Sequence, residues 1–241
     1  MKYIIGTSFL VLALFSSCNK TEKVAGQETV EKQKIDTLTS IPSEMYQGII
    51  PCADCEGIFT TITLTQDKTF EKTDYYLGKD EYFTGEGSYT VDASTGIYEL
   101  SFKSDNSAQY YQREEGKLVL LNDKKEKNTG THASDYELAQ LSNDEYHFTQ
   151  SPVEGFLTMG HEDSSFRPVN SSKVYWIEDP SGDLQKQYQE IVKAKKTPYF
   201  PVKANLVLEK KNQKAEGLAE AYDGVVVLKK LLKLELISVG N

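Results

Sequence analysis

The clearest periodicity in the chain lies in GIFTTITLT, residues 57–65, where Ile58, Thr60, Ile62 and Leu64 alternate with Phe59, Thr61 and Thr63. A period of two puts the two sets on opposite faces of a half-buried strand. Gln66-Asp67-Lys68 supplies a turn towards Phe70. Further strands are expected at Tyr82–Thr84, Gly87–Val91, Ile97–Phe102, Ala108–Arg113, Lys117–Leu121 and Tyr136–Gln140. Asp92–Gly96, Lys103–Asn106 and Glu114–Gly116 carry the turn residues between them. Gly85-Glu86-Gly87 reads as a hairpin glycine pair, with no following helix to receive a phosphate. Short strands at this spacing predict an antiparallel sandwich or small barrel, so residues 44–142 are read as an all-β barrel.

The second half is patterned differently. Val153–Met159 and Lys173–Ile177 read as strands. Leu184, Tyr188, Ile191 and Val192 then recur at helical spacing, with Ser181 as the expected cap and Thr197-Pro198 as the stop. Val202–Leu208 and Val225–Leu236 follow as strands, joined by the polar stretch Lys210–Glu220. The run VVVLKKLLKLEL also fits an amphipathic helix. Its triple valine and the Asp223-Gly224 turn favour a strand. Lys229, Lys230 and Lys233 on that strand suit edge protection. Few strands with one inserted helix predict a small OB-fold-like barrel over residues 150–238.

Upstream of both, residues 1–17 have Lys2, an apolar run from Phe9 to Phe15, and Ser16-Ser17, which is the layout of a signal peptide. Cys18 follows directly. That is the arrangement of a bacterial lipobox, with Phe15 where Leu is more usual. The apolar run is shorter than the roughly 20 residues a membrane-spanning helix needs. Lipidation at Cys18 would anchor the chain at about 0.8 kcal/mol per buried CH₂. Residues 19–43 contain no aromatic residue and balanced charge, the character of a flexible linker; with Cys18 they form the segment 18–43.

Composition narrows the function. The chain has 241 residues and a net charge of −9, an acidic balance that argues against a nucleic-acid partner. Residues 44–150 carry 9 basic and 20 acidic side chains, whereas residues 151–241 carry 13 and 12. The first half would therefore favour cations or basic surfaces. No nucleophile elbow, zinc-protease helix or phosphate loop occurs, so the chain is read as a non-enzyme. His132, His147 and His161 have no metal-ligand spacing. Met159 beside His161 is read as a strand-end residue next to a surface histidine.

One motif carries chemistry: Pro51-Cys52-Ala53-Asp54-Cys55-Glu56-Gly57, set between two strands. A redox catalyst would need the first cysteine at a helix N-terminus, and no helix follows. Half a zinc site would need a second pair, and the chain has three cysteines in all, one of them Cys18. Two thiolates suffice for Cu(I). A disulfide suits an exported chain, and a bridge this tight is a weak staple that fits a sensor better than a scaffold. Cys52 and Cys55 are thus candidate disulfide or redox residues, and candidate metal ligands.

The string from Tyr46 to Ile58 resembles the opening of the NlpE family of envelope lipoproteins, also called copper-resistance or copper-homeostasis lipoproteins. The similarity continues through Asp67–Phe70, Tyr76-Leu77-Gly78 and Gly87-Ser88-Tyr89. Phe166, Asp183–Ile191 and Pro198–Val207 resemble that family's C-terminal domain. The resemblance implies a lipocalin-like N-terminal barrel and an OB-fold-like C-terminal one. It also implies an outer-membrane lipid anchor, envelope stress signalling through a sensor protein, and copper tolerance. The second cysteine pair of some members is absent, since Pro168, Val169 and Val174 occupy that region. No cofactor is required by these motifs, and copper is the one the resemblance suggests. Two alternatives remain: a periplasmic Cu(I)-binding protein, and a carrier of a small lipophilic ligand inside the barrel.

Overall fold

The computed structural model describes residues 43–79, 81–195, 199–212 and 215–238. The expected signal peptide, Cys18, most of the linker and the Thr197-Pro198 helix stop lie outside the described residues.

Eight strands form the first barrel: β1 Ser43–Ile50, β2 Gly57–Thr65, β3 Thr69–Leu77, β4 Glu81–Val91, β5 Ile97–Phe102, β6 Ala108–Glu114, β7 Lys117–Leu120 and β8 Glu137–Gln140. Each pairs antiparallel with the next, and β8 returns to β1 through Tyr46↔Gln140 and Gln47↔Ala139. The alternation in β2 has the predicted outcome. Thr60, Ile62 and Leu64 point inward and are buried. They join Tyr46, Phe70, Leu100, Phe102, Tyr111, Leu118 and Leu138 in a filled interior.

Two expectations are corrected here. The segments Tyr82–Thr84 and Gly87–Val91 are one continuous strand, and the glycine pair lies inside it rather than in a hairpin. Gly85 and Gly87 are there because the interior leaves no room. A Cβ on Gly87 would stand 2.0 Å from the Ser101 carbonyl oxygen, and one on Gly85 would stand 2.6 Å from the Phe102 ring. Strand β3 is marked in the sequence only at its Phe70 end, beyond the Gln66-Asp67-Lys68 turn. Its inward positions include Lys72 and Asp74, which are paired inside the barrel, with the Thr60 hydroxyl donating to Asp74 Oδ1 at 2.6 Å.

The second barrel consists of β9 Pro152–Met159, β10 Ser164–Pro168, β11 Tyr175–Glu178, β12 Val202–Lys210 and β13 Val225–Leu236. Its order is β10-β11-β13-β12-β9, closed by β9 on β10, with β11 and β13 parallel. Helix α1, Asp183–Val192, sits between the third and fourth strands, giving an OB-fold-like barrel. Strand β10 was not anticipated, because SSFRP is short and ends in proline. Met159 ends β9 with its side chain in this barrel's buried core, and His161 just beyond it is exposed, as expected of a strand-end residue beside a surface histidine. The cap differs. Asp179, not Ser181, accepts the Leu184 N–H at 2.7 Å, while Ser181 Oγ takes the Asp183 N–H at 3.2 Å. Val225–Val227 of β13 pair with β11, and the rest of that strand pairs with β12 alone. Lys229 and Lys233 lie on that stretch, paired with Glu209 and Glu235.

The barrels meet along an apolar joint. Phe59 points outward from β2 yet is buried, because it packs with Leu77 and Ile237. Its ring lies 4.9 Å from Phe156 of β9, and Tyr75 meets Phe200 edge-on at 5.5 Å.

Candidate functional site

Strands β1 and β2 stay paired up to Ile50↔Ile58. Pro51 lacks an N–H and ends the ladder, so Pro51–Glu56 becomes a connector at one rim of the first barrel. Cys52 and Cys55 are joined by a disulfide within this connector, with Cα atoms 5.3 Å apart and both side chains half-buried.

Asp54 protrudes from the loop and accepts a charge-assisted hydrogen bond from Lys79 Nζ at 2.6 Å. That bond holds the Asp54 carboxyl below its ordinary value and raises the Lys79 ammonium. Glu56 N–H donates to the Leu77 carbonyl at 3.2 Å, fastening the other end of the loop to β3. Gly78 turns this β3–β4 hairpin at φ +76°, and a Cβ there would press on Glu56 at 3.0 Å.

The sulfurs have close oxygen neighbours. Cys52 Sγ lies 3.6 Å from Asp54 Oδ1, and Cys55 Sγ lies 3.3 Å from the Gly57 carbonyl. Disulfide sulfurs carry no proton, so these are contacts in the oxidised state. They would become thiol hydrogen bonds on reduction. The two sulfurs and an Asp54 oxygen all lie within 4.8 Å of one another. As a disulfide the pair has no thiolate to offer a cation. Once reduced, Cys52 and Cys55 would supply two soft donors and Asp54 one hard oxygen, a set that fits a thiophilic metal.

The histidines are not gathered to this site. His132 Nδ1 lies 2.9 Å from Asp135 on an exposed turn, and His147 and His161 are exposed in other loops. Lys79 and Leu77, which tie the loop down, lie too far along the chain for the cysteine motif itself to point to them. The Tyr76-Leu77-Gly78 signature was the available clue, but only the closed barrel brings it beside Asp54.

Fold and rim together define a two-barrel protein whose chemically distinctive group is a cysteine pair on an exposed connector of the N-terminal barrel. Residues 46–131 match the NlpE N-terminal domain. The chain belongs to the NlpE family of lipoproteins. It is 31% identical over 122 residues to the 17 kDa lipoprotein of Treponema pallidum, covering 49% of this chain and 75% of that protein. It is 31% identical over 123 residues to lipoprotein NlpE of Escherichia coli, and spans 50% of that protein's length with 50% of its own. The crystal structure of that E. coli protein, described as the Cpx pathway activator, aligns with 80% of this chain and 95% of its own at 19% identity and a TM-score of 0.32.

Proposed function

We propose that this chain is an envelope stress-sensing lipoprotein that also contributes to copper tolerance, with the Cys52–Cys55 connector as its responsive element. The reading has Cys18 lipidated, residues 19–43 as tether, the outer membrane as location, and an envelope sensor protein as partner. One observation carries it: a cysteine pair with a carboxylate beside it, half-exposed on the rim of a packed barrel, inside the segment that matches the NlpE N-terminal domain. The description of the E. coli relative as an activator of the Cpx pathway supports signalling as the output.

Copper would enter through the reduced state. Cys52 and Cys55 would hold Cu(I) as thiolates once the pair is reduced. The two thiol protons would be released to solvent, and Asp54 would be the hard oxygen beside the thiolates. The three-donor cluster also favours a second reading, a periplasmic Cu(I)-binding protein with no signalling output. A lipophilic carrier is disfavoured, because its ligand would have to displace Ile62, Phe70 and Leu100 from the barrel interior.

The test is genetic. A Cys52→Ser/Cys55→Ser chain, expressed at the wild-type level, is expected to lose both the envelope stress-reporter response and copper tolerance. Wild-type behaviour in both assays would overturn the proposal. Loss of tolerance with an intact reporter response would favour the copper-binding reading.

A further inference from the structure

The connector does more than carry the cysteines: it is bonded to the hairpin that forms one side of the joint between the barrels. Asp54 holds Lys79 Nζ at 2.6 Å, and the carbonyl of the same Lys79 accepts Lys195 Nζ at 3.0 Å. Lys195 lies just beyond α1, in the second barrel's chain. Glu56 N–H holds the Leu77 carbonyl, and the Leu77 side chain, 1% exposed, is part of the buried joint with Phe59 and Ile237. Tyr75, two residues earlier on β3, meets Phe200 across the same joint. The loop is thus linked to the second barrel at two points, one polar and one apolar, each one residue removed from direct contact.

We propose that the Cys52–Cys55 disulfide is a redox-controlled clasp on the joint between the two barrels, and that Asp54 is the positioning residue that transmits its state. A dithiol reductant attacks one cysteine sulfur as thiolate, breaking the Cys52–Cys55 bond and forming a mixed disulfide. Its second thiol displaces the cysteine still held in the mixed disulfide, so the reductant leaves as an intramolecular disulfide and its two protons end on the Cys52 and Cys55 thiols. The loop then regains conformational freedom. Cys52 Sγ faces Asp54 Oδ1 while Lys79 holds Oδ2, so it is the freed backbone of the loop, carrying Asp54 with it, that weakens the Asp54–Lys79 bond. Release of Lys79 and slackening of the Leu77 anchor loosen the joint while both barrel interiors stay packed. One disulfide reduced to two thiols at one rim becomes a change in how the two barrels are held, which a partner could read without entering either barrel.

This inference rests on the reading that the pair cycles between disulfide and dithiol. Its test imposes that change directly, so it fails or succeeds independently of any stress or copper phenotype. Hydrogen–deuterium exchange is measured on the full chain in detergent, oxidised and then reduced with a phosphine. Reduction is expected to speed exchange about tenfold at Glu56 and Lys79 and, across the joint, at Phe200 and in the segment around Ile237. Leu100–Phe102 and Leu206–Leu208, in the two cores, are expected to stay unchanged. Asp54→Asn in the oxidised chain should speed exchange at the joint with the disulfide intact. Acceleration confined to residues 51–57 would overturn the clasp, and so would equal acceleration throughout both barrels. An unchanged joint in Asp54→Asn would overturn the role of Asp54.

Discussion

Lys72 and Asp74 stand two residues apart on β3, so both side chains enter the barrel, where each is the other's counter-ion. Removing one partner of a buried pair leaves a stranded charge, a cost of about 3–5 kcal/mol. Lys72→Met is therefore expected to lower the urea midpoint of the chain strongly, and adding Asp74→Leu should recover much of the loss. An unchanged midpoint for Lys72→Met would show that the pair is not dehydrated. The same two residues explain a gap in what the sequence revealed. A lysine and an aspartate in alternation look like the wet face of a strand, and only their mutual pairing and Thr60 make them an interior. Cys52 and Cys55 were legible as chemistry because their spacing is local. Asp54's partner Lys79 was not, because a separation of 25 residues is closed only by the β1–β2–β3 meander.

At the level of elements, regular alternation was the reliable guide. Strands β2 and β5 were legible because each repeats one pattern along its length, and β13 through its triple valine and the Asp223-Gly224 turn. Strand β4 was divided wrongly because its glycines answer to Ser101 and Phe102 on the neighbouring strand, a constraint invisible within β4 itself. Helix α1 was legible from Leu184 and Tyr188, but its cap was not, because Asp179 reaches over Gly182 at φ +74°. Burial alone would raise the Asp179 carboxyl. Hydrogen bonds from Ser181 and from the N–H groups of Leu184 and Gln185 outweigh it and hold it below the ordinary value. Its contribution is therefore complete above the unfolded pKa of about 3.9 and is lost as pH falls through the lower folded value. Asp179→Ala should destabilise the second barrel by about 1 kcal/mol at pH 7, as removal of a helix cap does. The difference from wild type should shrink below pH 4 in thermal melts followed by circular dichroism. A difference independent of pH would mean that the carboxylate is not what caps the helix.

Across the whole molecule, the two barrels differ in construction and in charge. The first is an acidic, antiparallel meander that bears the cysteine pair. The second is near neutral and is closed through a parallel pairing of β11 and β13. The joint between them was not legible, because Phe59 falls on the strand face that alternation assigns to solvent. It is covered only by Phe156, about a hundred residues later. The account turns on whether the Cys52–Cys55 pair is a responsive element rather than a passive staple. The most direct measurement is a free-thiol count on the full chain, before and after mild dithiol reduction, followed by Cu(I) titration against a competing chelator with Cys52→Ser as control. The account predicts no free thiol at Cys52 or Cys55 as isolated, ready reduction of both, and one Cu(I) held per reduced chain but not by the control. A pair that resists reduction, or a reduced chain that binds copper no better than Cys52→Ser, would contradict it.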